Sequence, residues 1–435
     1  MARFGQKHTR IRYLLVLWLG LLSAVAFLDR TNISVAGIQI GHEFGISNTR
    51  LGWVFSAFLV GYAAFQIPAG LLARRLGPRR VLTFAGIWWA VFTAATALVP
   101  PGMRGALWVL IGVRLALGLG EATMYPASSQ FVERWFPVAE RGKANGIIFA
   151  GVGAGSGFTP YLVTAIVLRF GWRASFWFSA CIGLAVALVW YFAARDTPED
   201  HAWVSLSERE EIERGRAVEA VTSSMAVQDK KINWLAILRS RETYALTLSY
   251  FSFGYVAWIY FAWLFIYLAQ VRGLNLKASA MYTMFPFIAM TVGCLIGGFA
   301  SDAIARRLSL RAGRGLIPGI ALVLTAGLLL LGARAQHPES AALILALGAG
   351  VLYLAQSGYW AVSADIAGDC TGVVSGIVNM GGQVGGACTA SLTPLIAARF
   401  GWGMSFAAAA ALALAGGVAW VFVDPTRKLE TRAVG

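Results

Sequence analysis

Polar residues fall in short islands along this chain, and between them run stretches of 20 or more mostly apolar residues. A helix of that length crosses a hydrocarbon core of about 30 Å. The pattern predicts twelve such helices, at about 13–36, 50–73, 81–99, 106–132, 143–168, 173–194, 243–269, 278–304, 315–333, 340–364, 372–398 and 402–423. Residues 195–242 interrupt the series as a polar link. Within it, Ser207-Glu208-Arg209-Glu210 reads as a capping box that opens a short charged helix in a solvated tether. The roughly 10-residue alternating strands of a membrane barrel are missing. The expected fold is therefore an all-α integral membrane protein. Two six-helix bundles, 1–194 and 243–435, are joined by the cytoplasmic link 195–242.

Composition agrees: 58% of residues are hydrophobic and 13% charged, against about 25% charged in soluble domains. The amino-terminal bases Arg3, Lys7, Arg10 and Arg12 lead straight into a full-length span without a small-residue cleavage site, so no cleaved signal is expected.

The two halves repeat. Arg169-Phe-Gly-Trp172 recurs as Arg399-Phe-Gly-Trp402, and Gly142, Gly146, Ile147 and Gly151 recur as Gly372, Gly376, Ile377 and Gly381, all at an offset of 230. Gly70, ahead of a basic loop, recurs as Gly298 at 228. Duplicated six-span halves are a way of building a rocking transporter.

The net charge of +15 reflects membrane orientation rather than nucleic-acid binding. Fifteen bases of the tail and short loops fall on the side of the amino terminus, against eight opposite. The positive-inside rule then places both termini in the cytoplasm, in a plasma membrane such as the bacterial inner membrane. The four cysteines have neither metal nor redox spacing, and the four histidines lie in tails or loops. Neither an enzyme's catalytic cluster nor a bound cofactor is expected, and the protein is expected to work as a monomer in its bilayer.

Four charges remain inside apolar runs: Asp29 and Arg30 in the first span, Arg114 and Glu121 in the fourth. A charge at membrane depth costs roughly 2.5–3.5 kcal/mol on insertion scales, so such residues face a cavity and carry function. At about 1.5 Å per residue, Asp29, Arg30 and Arg114 lie at similar depth, with Glu121 ~10 Å from Arg114. That spacing favours Arg114 meeting Asp29, or a substrate carboxylate, over Glu121.

The sequence also resembles a known family. Gly70-Leu-Leu-Ala-Arg74-Arg75-Leu-Gly77-Pro-Arg79-Arg80 is similar to the loop motif between spans 2 and 3 of the major facilitator superfamily, except that Arg74 replaces its acid. The second-half copy, Gly298-Phe-Ala-Ser-Asp302, keeps that acid. Arg114, Gly118, Gly120 and Ala122 resemble the span-4 motif of the superfamily. Glu121 with Tyr125-Pro126-Ala127, and Asp29-Arg30, narrow the resemblance to its anion:cation symporters, including bacterial galactonate, glucarate and hexuronate importers.

The resemblance implies import of a small organic anion by proton symport through alternating access. The chemistry of the buried charges themselves suggests the roles: Asp29 and Glu121 carry protons as a nearby arginine comes and goes, Arg114 is the switching partner, and Arg30 takes the substrate carboxylate. The resemblance implies substrate contacts at Tyr62, Ser357, Trp360 and Asn379, with Gln383 as an amide from the second half, and gating roles for Arg74, Asp302 and Asp365. Phe27, Val152 and Gly153 stand where sugar-acid carriers have hydrogen-bonding side chains, which leaves room for a less hydroxylated or aromatic acid. Three other readings stay open: an organic-anion or organophosphate exchanger needing no protonatable acid, a purely sensory relative of the carriers, and a structural salt bridge stapling spans 1 and 4.

Overall fold

The computed structural model describes residues 9–214, 237, 239–367 and 371–429. Its long helices are α1 (Ile11–Phe44), α2 (Asn48–Leu76), α3 (Pro78–Ala97), α4 (Ala106–Glu121), α5 (Met124–Trp135), α6 (Val138–Phe170) and α7 (Trp172–Ala193) in the first half. The second half holds α8 (Arg241–Ala262), α9 (Leu276–Arg307), α10 (Leu310–Arg334), α11 (Pro338–Tyr353), α12 (Gln356–Ala367), α13 (Thr371–Phe400) and α14 (Trp402–Ala419). No strand occurs among the described residues. Eleven stretches are long and apolar enough to cross a membrane, with α4–α5 and α11–α12 each forming one. The remaining long helix, α13, runs 30 residues and is rich in glycine and small polar side chains. It packs against both α2 and α8.

Local chemistry sets the helix ends. Ser47, Ser240, Asn275 and Ser309 each accept a hydrogen bond from a backbone N–H in the first turn of the following helix, the usual remedy for unpaired donors there. The repeated Arg-Phe-Gly-Trp motif is one turn made twice. Gly171 (φ 80°) and Gly401 (φ 83°) sit between consecutive helices in a conformation that a side chain would disfavour.

Packing repeats as the sequence does. In the first half α1 packs on α6, α2 on α4 and α3 on α7; in the second α8 packs on α13, α9 on α11 and α10 on α14. The seams rest on small residues: a methyl at Gly155 would collide with the Ala24 carbonyl, and one at Gly385, 230 positions on, with the Phe251 carbonyl. Such close approach is what holds helices together in lipid. Both halves also break a helix at the corresponding place, at Ala122–Thr123 and at Leu354–Ala355.

The beginning of the link is more than a tether. Its helix spans residues 206–214, and Ser205, not Ser207, accepts from the Glu208 backbone N–H. Glu208 is fully buried and caps a different helix. Its carboxylate accepts from Thr9 Oγ1 (2.6 Å) and from the Ile11 and Arg12 N–H groups (3.2 Å each) at the start of α1. Arg12 completes the clasp with Glu211 (2.8 Å) and Glu140 (3.2 Å). A capping box read from one segment misses this, because α1 draws its cap from almost 200 residues away. Donors left unpaired cost about 1–3 kcal/mol. Glu208→Ala should therefore lower the melting temperature by a few degrees, while Glu213→Ala, on the exposed side of the same helix, leaves it unchanged. Equal melting temperatures for both variants would contradict this account of the clasp.

Candidate functional site: a buried charge cluster between the two halves

Consecutive residues on a helix point about 100° apart, so Asp29 and Arg30 serve different neighbours. Asp29 turns into the first half, where Thr93 of α3 donates to its Oδ2 at 3.2 Å. Arg30 turns toward α2 and α4. Its Nε donates to Glu121 Oε2 at 2.7 Å, and its guanidinium lies 4.5 Å from the Phe27 ring, 4.7 Å from Tyr62 and 5.3 Å from Phe58. Arg114 also stands over Phe58, 5.4 Å from the ring. All four charged residues are buried, at 6% exposure or less, so none faces lipid.

The partner of Glu121 thus differs from the one that spacing favours: it is Arg30, not Arg114. Rise per residue measures backbone depth, whereas the long Arg30 side chain closes the difference. Glu121 is also the last residue of α4, where the helix ends and Thr123 folds back onto the Gly120 carbonyl at 2.8 Å.

Arg30 and Arg114 border a void of ≈ 10 Å³ between the halves, about the room of one water. Ser34, Phe55 and Phe58 line it from the first half, Trp258, Phe261 and Ala262 from the second. Asp29 is not among its lining residues. Asp29 Oδ1, Arg30 Nη2, Arg114 Nε and Glu121 Oε1 are buried without a hydrogen-bond partner.

On the second-half side the polar groups gather around the α11–α12 break. Gln356 Nε2 donates to the Tyr250 hydroxyl at 3.3 Å, and Trp360 meets the Tyr250 ring edge-on at 5.6 Å. Gln356 Oε1, Ser357 Oγ and, on α13, Gln383 Oε1 are buried and unpaired. Asn379 reaches across the interface to Gln66 Oε1 at 2.9 Å. Tyr62 stays on the first-half side, buried over Arg30. Gln66, Tyr250 and Gln356 are absent from the residues singled out in the sequence. Gln66 was within reach of a helical argument, because it lies one turn beyond Tyr62 on the same face.

Other hydrogen bonds between the halves lie beyond the cluster, on the side away from the chain termini. Ser34 donates to the Ala262 carbonyl (2.8 Å), Asn48 to Gln270 (3.0 Å) and Ser56 to the Ala387 carbonyl (2.6 Å). On the termini side, Asp302 and Asp365 share one arginine, Arg314, at 2.8 and 3.1 Å. Arg74 is exposed and forms no ion pair among the described residues. Asp196 of the link accepts from the Arg79 N–H at 2.9 Å and fills the space beside Gly77.

Look-alike helical bundles around buried charges, with helices broken at mid-depth, are the architecture of a secondary carrier. Comparison with known proteins agrees. The Major Facilitator Superfamily profile matches residues 19–390. A Cupriavidus necator protein named "Probable sulfoacetate transporter" is 32% identical over 98% of this chain and 97% of its own. The "Hexuronate transporter" of Bacillus subtilis is 27% identical over 86% of each chain. The crystal structure of a D-xylose–proton symporter superposes with a TM-score of 0.75 at 15% identity, covering 97% of this chain and all of that one.

The chain belongs to the major facilitator superfamily. It is a multi-pass protein of the plasma membrane, and a transporter rather than an enzyme.

Proposed function

We propose that this carrier moves a small organic anion together with protons by alternating access. The observation that carries the reading is the buried Arg30–Glu121 pair at the edge of the void between the halves, with Arg114 beside it. An arginine fork binds carboxylate or sulfonate and never deprotonates. An incoming anion therefore competes with Glu121 for Arg30. Glu121, stripped of its partner in an apolar site, takes up a proton rather than stay charged. Binding of the anion and of the proton then support one another. Asp29, on the other side of α1, is the second proton carrier, and Arg114 balances the cluster as its charges change. The alternatives that need no protonatable acid, organic-anion or organophosphate exchange, leave Glu121 and Asp29 without a task.

The lining favours a short, sparsely hydroxylated acid. Phenylalanines and Trp258 surround the two guanidiniums, and the hydroxyl of Ser34 is occupied by the Ala262 carbonyl. A second guanidinium beyond the one holding Glu121 suits a further anionic group on the cargo. The names of the relatives bracket this range, from sulfoacetate to hexuronate. A sugar acid is the second reading, supported by the unpaired Gln356, Ser357 and Gln383 with Trp360 and Asn379 nearby; an aromatic carboxylate would use the ring lining instead.

In this account the protein is a monomer with both termini cytoplasmic and α13 as its twelfth crossing. The units 1–194 and 243–435 rock about the site, linked by 195–242. The seal formed by Ser34, Asn48 and Ser56 closes the outer side, and the Arg314 bridge to Asp302 and Asp365 braces the inner one, with Arg74 left free for the opposite state. Uptake into proteoliposomes tests the function. Labelled sulfoacetate, a hexuronate and an aryl carboxylate should be compared under an inward proton gradient, with and without a protonophore. Gradient-driven, protonophore-sensitive accumulation of at least one of them is expected. Uptake that ignores the gradient would favour exchange.

A further inference from the structure

A second cavity, of ≈ 310 Å³, lies not between the halves but at the outer rim of the first one. It is lined by the turn that ends α1, the start of α2 and the loop leading into α4, all on the side away from the chain termini. Arg50 and Met103 contribute to its wall with Trp53 and Trp108. Arg50 is exposed and forms no ion pair among the described residues. Arg104, also exposed, lies between the lining residues Met103 and Gly105. No acidic residue lines the cavity, so its mouth is cationic on the side where this chain carries fewest bases.

Apolar surface continues below it. Trp53 (43% exposed) leads to Val60 (52%) one heptad along α2, and Trp108 (68%) to Leu115 (39%) along α4. A cationic pocket at interfacial depth, opening onto two apolar stripes that run into the bilayer, fits an amphiphile rather than a soluble anion. Tryptophan at this depth is itself an interfacial anchor. We propose that this groove binds an anionic phospholipid of the outer leaflet, with its phosphate at Arg50 and Arg104 and an acyl chain between the α2 and α4 stripes.

The test is native mass spectrometry on the full chain in detergent, titrated with phosphatidylglycerol, phosphatidylcholine or inorganic phosphate. One basic residue near a membrane surface contributes about 1 kcal/mol of attraction to anionic lipid. Arg50→Gln should therefore weaken phosphatidylglycerol binding about fivefold and Arg50→Gln with Arg104→Gln more. Binding of phosphatidylcholine, whose choline offsets the charge of its phosphate, should be weaker in the parent and fall less than that of phosphatidylglycerol in either variant. Trp108→Ala should weaken long-chain phosphatidylglycerol without changing a short-chain form. These side chains are exposed, so the variants keep the fold, which size-exclusion elution verifies. Equal phosphatidylglycerol affinity in parent and double variant would overturn the proposal. So would displacement of the lipid by millimolar phosphate, which would make the site one for soluble anions.

Discussion

Replacing Arg30 by glutamine should reduce transport at least about thirtyfold. Removing one partner of a buried, hydrogen-bonded charge pair costs about 2–5 kcal/mol in binding, and here Arg30 is both the partner of Glu121 and the proposed seat of the cargo anion. Arg30→Lys should recover little, because an ammonium cannot reproduce the planar fork or its stacking beside Phe27 and Tyr62. A salt bridge that only staples helices predicts something else. Breaking a buried pair destabilises by about 3–5 kcal/mol, whereas replacing both members with apolar residues is often neutral. The double variant Arg30→Leu with Glu121→Leu should therefore regain the melting temperature lost in Arg30→Leu and remain inactive. Recovery of transport along with stability would reduce the pair to a staple.

Glu121→Gln should separate cargo movement from proton movement. Glutamine resembles the protonated acid and cannot release a proton, so exchange of labelled for unlabelled cargo should persist. Uphill accumulation should lose the part that the Glu121 proton drives. One pH unit is worth about 1.36 kcal/mol per proton, or about tenfold accumulation for each coupled proton, so losing the Glu121 proton should lower the accumulation ratio about tenfold per pH unit of gradient. Asp29→Asn should lower the accumulation ratio with less effect on cargo affinity, because Asp29 faces Thr93 rather than the void. Full accumulation by the Glu121 variant would remove Glu121 from the coupling path.

Much of this was legible in the residues. The apolar runs and the duplicated Arg-Phe-Gly-Trp turns carried the helical architecture, because membrane-crossing length and a glycine turn leave few alternatives. Asp29, Arg30, Arg114 and Glu121 stood out because buried charge is expensive, and the structure brings them together away from lipid. What stayed hidden depended on distance in the chain. Spacing alone set Arg114 against Asp29, while the folded protein joins Arg30 to Glu121 through side-chain reach and the end of α4. Glu208 capping α1, and Asp196 accepting from the Arg79 N–H at the start of α3, are contacts between segments far apart in sequence. The bridging role of Arg314 was concealed because, in sequence, it is one of four bases in a basic loop.

The most direct measurement is infrared difference spectroscopy on the reconstituted protein, recorded as cargo is added. The account predicts a new protonated-carboxyl stretch on binding, present in the parent and in Asp29→Asn and lost in Glu121→Gln. A parent spectrum without that band, or a band that survives in Glu121→Gln, would show that the cargo does not displace Glu121 from Arg30.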